Sequence, residues 1–137
     1  MSFLLDTDVL SDAVKKTPSP KVNAWIEAHQ SQIYTSAISI GELKRGIARM
    51  PLGARRTQME RWFEGLLVRM EGRILAYTSR VAESWGDFTA ELERKGHKMP
   101  LVDSFIAAIA KRHNLILATR NTAHFSHTGL RVMNPFL

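Results

Sequence analysis

The sequence has 137 residues, a hydrophobic fraction of 45%, a charged fraction of 23%, no cysteine and a formal charge of +6. This composition excludes a disordered or fibrous chain, a disulfide framework and a thiolate metal site, and the length fits a single domain, 1–137, with a sizeable core. No apolar run approaches the ~20 residues that cross a bilayer and no cleavable leader pattern opens the chain, so no membrane association is expected and the expected location is cytoplasmic.

In chain order, Phe3-Leu4-Leu5 is a short apolar run that reads as a buried strand ending at Asp6, with Thr7 and Asp8 just beyond. Pro20 to Ala28 carries a helical pattern, and Ile33-Tyr34-Thr35 is a second strand. Ile38 to Met50 and Leu52 to Met70 then read as a helical hairpin. A third strand over Ile74-Leu75-Ala76-Tyr77 leads into a helix from Ser79 to Lys95. After the short Gly96 to Pro100 loop, Asp103 to His113 is helical. Leu115 to Thr119 is the fourth strand and Val132-Met133 a weak fifth. Near-continuous apolar strands alternating with helices predict an α/β fold with a parallel sheet, covered on both faces through right-handed crossovers.

The charge is unevenly spread. From Lys44 to Arg73 there are eight basic residues (Lys44, Arg45, Arg49, Arg55, Arg56, Arg61, Arg69, Arg73) against Glu60, Glu64 and Glu71, and no acid follows Asp103. Such asymmetry suits a polyanionic partner, because cations gain affinity by displacing counterions from phosphates; a merely solvated basic surface is the plain alternative.

In a parallel sheet, ligands bind beyond the carboxyl ends of the strands. Asp6 follows the first strand directly, Glu42 lies in the helix after the second, and Asp103 opens the helix leading into the fourth. Three carboxylates brought together repel one another unless a cation lies between them, and all-oxygen ligands suit Mg²⁺, with Mn²⁺ as an alternative. Each acid also has a structural reading. Asp6 suits an N-cap, Ser39-Ile40-Gly41-Glu42 has the spacing of a capping box, and Asp103 suits the N-cap of an apolar helix. Only their joint placement at one sheet edge favours chemistry. Ile40, Leu43, Ile47 and Met50 form a buried stripe that leaves Glu42, Arg45 and Arg49 together on the opposite face, either beside a bound phosphate or as an ordinary intrahelical pair.

Four segments resemble a known family: Leu4-Leu5-Asp6-Thr7-Asp8-Val9-Leu10, Ser39-Ile40-Gly41-Glu42-Leu43-Lys44-Arg45-Gly46, Pro100-Leu101-Val102-Asp103-Ser104 and Ala118-Thr119-Arg120-Asn121-Thr122. The chain is similar over nearly its whole length to PIN-domain nucleases, specifically the VapC-type toxins of bacterial toxin–antitoxin pairs. The resemblance implies a three-layer α/β/α fold with strand order 3-2-1-4-5, metal-dependent cleavage of RNA, a cognate antitoxin and a homodimer. By position, Asp6, Glu42 and Asp103 match the family's metal-site acids, and Thr119 and Asn121 its last motif. Thr7 and Asp8 join these two as candidate supporting groups, and Arg45, Arg49 and Arg120 as candidate RNA contacts. Two departures stand out. The fourth acid often found in the last motif is replaced by Asn121 and His124, which puts a second metal in doubt. Asp8 stands where many members carry asparagine and reads as a loop residue.

His124 and His127 lack a clear helical frame and read as a surface loop. Neither Ser126 nor Thr7 has the strand-turn-helix context of a nucleophile, and there is no Gly-rich phosphate loop. The expected reaction is hydrolysis of an RNA phosphodiester at the acid cluster. Two rivals remain. A receiver-like signalling domain wants a lysine at the end of its last strand, where this chain has Val132-Met133-Asn134-Pro135. A non-catalytic RNA-binding module would use the basic 44–73 segment and be indifferent to EDTA.

Overall fold

The computed structural model describes residues 1–137. Strand β1 (Phe3–Leu5) runs into a short helix α1 (Thr7–Ser11), followed by α2 (Pro20–Ala28), β2 (Ile33–Ser36), α3 (Ala37–Ala48) and α4 (Ala54–Arg69). The second half contains β3 (Ile74–Leu75), α5 (Ser79–Arg94), α6 (Leu101–Arg112), β4 (Ile116–Ala118) and β5 (Val132–Met133). A 3-10 turn over Thr122–Phe125 links the last two strands. The strands form one sheet in the order β3-β2-β1-β4-β5, and every pairing is parallel, as expected.

Alternation along the central strands divides the core into two layers. Phe3 and Leu5 of β1, with Ile116 and Ala118 of β4, pack against Val9, Val22, Leu43, Ile47, Phe63 and Leu66 from α1 to α4. Leu4 and Leu117 point the other way, onto Val81 of α5 and Ile106 and Ile109 of α6. Successive strand side chains face opposite sides, so a strand buried on both must be apolar at every position, which is why these segments read as continuous runs. Leu4, Leu117, Ile106 and Ile109 are fully buried. Each contributes roughly 1.5–3 kcal/mol of transfer free energy. The alanines Ala107, Ala108 and Ala110 are also fully buried and let α6 lie close on the sheet.

Several helix termini differ from the expected ones, α4 for example starting at Ala54 rather than Leu52, and two of them bear on the site. Helix α3 begins at Ala37 with Ser36 as its cap, whose Oγ accepts from Ser39 N–H at 3.0 Å, so Ser39 and Glu42 are not a capping box. Helix α6 begins two residues before Asp103, with Pro100 at the cap position and no side-chain cap. Asp103 is therefore in its first turn, where a negative charge complements the helix dipole. At the other end, Asn114 takes a left-handed conformation (φ 53°), and Leu115 N–H reaches back to Ala110 O at 2.9 Å. This Schellman closure turns α6 into β4.

Register then sets the site. Leu5 pairs with Ala118, so Asp6 and Thr119 leave their strands side by side, with Asp6 N–H donating to Ala118 O at 2.9 Å.

Candidate metal centre

Asp6 is delivered by the central strand and caps α1. Its Oδ1 accepts from Thr7 N–H at 2.8 Å and its Oδ2 from the Thr119 hydroxyl at 2.7 Å. The cap reading and the site reading are thus both present in one residue. Asp6 is only 6% exposed. Burial pushes its pKa up to about 6, the nearby charges of Asp8 and Asp103 add to the rise, and the Thr119 hydroxyl and Thr7 N–H oppose it. That Asp103 is felt at Asp6 places these two acids in one electrostatic neighbourhood.

Asp8 is not in a loop: it lies in the first turn of α1 and is half-buried. Its Oδ2 accepts from Arg120 N–H at 3.1 Å, while its Oδ1 is buried with no hydrogen-bond partner. Burial raises its pKa, against the Arg120 N–H and the charges of Arg120 and Lys15. Glu42 projects from α3 and is exposed; the Thr7 hydroxyl bonds its Oε1 and also lies 2.9 Å from the buried Ser39 Oγ. Asp103, half-buried, meets His124, whose Nδ1 is 2.8 Å from its Oδ2. His124, read from sequence as part of a surface loop, therefore touches the cluster from the 3-10 turn. Its only sequence signal was its place in the last motif, where a fourth acid is often found.

The other candidates separate clearly. Thr119 is fully buried, and its hydroxyl donates to Asp6. Asn121 contributes through its backbone, whose N–H donates to Thr119 Oγ1 at 3.1 Å, and its side chain is exposed without a hydrogen bond. Arg45 and Arg49 are exposed, and neither pairs with Glu42. Half of the basic 44–73 run has structural work: Arg55 binds Val14 O, Arg56 binds Met50 O and pairs with Glu60, Arg73 binds Gln30 O, and Lys44 lies over Phe63. The positive segment is thus partly an internal staple, which weakens the reading of the chain as a module that binds through that stretch.

The donor chemistry fits a hard divalent cation: the candidate ligands Asp6, Asp8, Glu42 and Asp103 offer only carboxylate oxygens, and one buried oxygen of Asp8 lacks a partner. Asp6 is also held in a state that a nearby cation would relieve. As the side chains stand, no three acidic or histidine groups form a ready ion cage. Glu42 is engaged by Thr7 and Asp103 by His124, so loading an ion exchanges those bonds for metal bonds. The chain's largest groove, about 660 Å³, contains none of these acids; it lies between α2 and α4, lined by Ile26, Trp62, Leu66 and Met70, with Arg69 and Arg73 at its side.

A five-stranded parallel sheet with carboxylates gathered at the ends of β1 and its flanking helices defines an α/β protein with an acidic, oxygen-lined site. The sequence pattern of the PIN domain matches residues 3–130, and the chain belongs to that family. It is 38% identical to the VapC ribonuclease Y4jK of Sinorhizobium fredii over 98% of this chain and 97% of that protein. It is 33% identical to the toxin FitB of Neisseria gonorrhoeae over 98% of each. The solved structure of FitAcB from Neisseria gonorrhoeae superposes with a TM-score of 0.92 at 32% identity, covering 98% of each chain.

Proposed function

We propose that this chain is a divalent-metal-dependent endoribonuclease that acts as the toxin of a toxin–antitoxin pair. The observation that carries the chemistry is the buried Asp6 carboxylate, held by Thr119 and Thr7 and pushed toward neutrality by burial and by Asp8 and Asp103. The relatives' names, a ribonuclease and a toxin, support the reaction class and the role.

Asp6 and Asp103 would hold Mg²⁺ or Mn²⁺, with Glu42 completing the set and Asp8 adjoining it. When bound, the ion supplies positive charge against a phosphate and acidity to water. The protein's own groups do the rest. Thr119 and Thr7 fix the Asp6 oxygens so that the carboxylate does not rotate away. Thr7 ties Glu42 to the same point, and His124 orients Asp103. In the reaction, water adds to phosphorus, one P–O ester bond breaks, and the products are one phosphate end and one hydroxyl end.

A toxin needs a neutralising partner. The α2–α4 groove, apolar along its floor and flanked by Arg69 and Arg73, supports docking of an apolar antitoxin segment with acidic flanks. Leu101 and Val102, exposed beside Asp103, supply apolar surface for pairing of two copies. No helix is long and apolar enough to cross a membrane.

The test is incubation of purified protein with RNA in Mn²⁺, in EDTA, and with Asp6→Asn in Mn²⁺, sequencing the fragment ends. Cleavage in the first alone is expected. Undiminished cleavage by Asp6→Asn removes Asp6 from the chemistry, and EDTA-resistant binding without cleavage favours a non-catalytic RNA-binding module.

A further inference from the structure

Arg120 follows Thr119 directly, so its backbone leaves β4 at the acid cluster, and its N–H is bound to Asp8. Its side chain pairs with no carboxylate, although acids lie nearby. Instead the guanidinium lies over the Phe136 ring, its central carbon 3.8 Å from the ring centroid. Lys15, paired on one side with the buried Asp12 at 3.4 Å, approaches the same ring with Nζ 5.4 Å from the centroid. The ring is well anchored. Pro135 is buried, Phe136 N–H is bound to the Asn134 side chain at 2.9 Å, and Phe136 packs on the α1–α4 core. Arg120 remains exposed.

A guanidinium pinned on an aromatic ring has lost the freedom that a solvated arginine keeps, and it presents a flat cationic face outward. Such a face suits the π-surface of an unstacked base, whereas in a duplex the bases are already stacked and their faces closed. We infer that Arg120, backed by Phe136 and accompanied by Lys15, is a nucleotide platform at the edge of the acid cluster, where one unpaired base of single-stranded RNA stacks on the guanidinium and its phosphate meets Lys15. This rests on the proposed ribonuclease reading and names the residues that would seat one nucleotide beside the acids. A plain phosphate contact needs only charge. Stacking needs the plane, so arginine and lysine are not interchangeable at this position.

The experiment measures binding in the Asp6→Asn protein, which keeps RNA intact, by fluorescence anisotropy with a short single-stranded oligoribonucleotide, a hairpin duplex of the same composition, and single-strand probes with one abasic position moved along the chain. Arg120→Lys, which keeps the charge and is solvent-exposed, is expected to weaken single-strand binding about tenfold and leave the duplex unchanged. Phe136→Leu, which keeps apolar bulk, should weaken the same probe in the same direction. The abasic scan should find one sensitive position in the parent and none in Arg120→Lys. Equal single-strand affinity of parent and Arg120→Lys, equal losses on both RNAs, or no RNA binding by the parent would overturn the platform. Absence of cleavage by the unmutated protein in Mn²⁺, with the binding differences intact, would instead sink the ribonuclease reading alone.

Discussion

The two halves of the acid cluster are held in different ways. The inner half, the buried Asp6 and the half-buried Asp8, lies where β1 enters α1, and Asp6 has its two oxygens fixed by Thr7 and Thr119. The outer half, Glu42 and Asp103, is borne on α3 and α6 and reaches toward solvent, each acid restrained by a single side chain, Thr7 or His124. Rigid parts of a site are those whose position the sheet register dictates, and adjustable parts are those that helices and exposed turns present. The inner carboxylate stores the unfavourable desolvation; the outer ones are free to close on whatever relieves it.

The largest effect expected from this contrast is the loss of cleavage in Asp6→Asn, about three orders of magnitude, the upper range for removing one charge-stabilising group. The same substitution should raise the melting temperature of the metal-free protein at pH 8, because the buried charge is gone. Retained cleavage, or a lower melting temperature, would break the assignment of stored strain to Asp6.

Stability against pH follows next. The folded pKa of Asp6, about 6, lies above the ordinary aspartate value of 3.8, so the folded state binds this proton more tightly than the unfolded one. The associated stability is fully present below about pH 4 and is lost as pH rises through about 6, amounting to roughly 3 kcal/mol for this group alone. Chemical denaturation of the metal-free protein between pH 4 and pH 8 should show this component in the parent and lack it in Asp6→Asn. Identical pH curves for the two would remove it.

Divalent ion should act in the same direction at neutral pH. Mn²⁺ at a hundred times its dissociation constant adds about 2.7 kcal/mol, read as a rise in melting temperature reversed by EDTA and much reduced in Asp6→Asn. A rise of the same size in both proteins would place the ion elsewhere.

Smaller effects sharpen the division between the halves. Thr119→Val removes a hydroxyl that lowers the Asp6 pKa, so cleavage should fall by 10- to 100-fold, a range typical of groups that orient a ligand, and its acid limb should move to higher pH. His124→Ala should cost less than about tenfold, since an exposed restraint on a movable acid is the easiest to replace with water. Were His124→Ala as damaging as Asp6→Asn, the outer half would be as fixed as the inner.

Much of this arrangement was legible because it is written in periodicity. The strands at Phe3–Leu5 and Ile116–Ala118 are apolar at every position because both faces of the sheet are covered, and Asp6 stands out as the first charge after such a run. Helix starts were less legible. Ser36 caps α3 from the end of a strand, where nothing in the pattern marks it, and the Ser39-to-Glu42 spacing imitated a motif that the backbone does not form. Asp8 was misplaced and the contact of His124 was missed because both depend on distant segments, Asp8 meeting Arg120 and His124 meeting Asp103. The basic run was legible only in part: charge counted along a chain does not reveal which cations also bond carbonyl groups, as Arg55, Arg56 and Arg73 do.

The hydrogen bond from Thr119 to Asp6 joins points 113 residues apart. During synthesis, at roughly 5–20 residues per second, Asp6 leaves the ribosome many seconds before its partner exists. For most of that interval the nascent chain has β1 and β2 to pair but neither Asp103 nor the last motif, so the site is incomplete until Asp103 and Thr119 have both emerged. For a protein that cuts RNA, this order of assembly shields the message being translated and the machinery reading it.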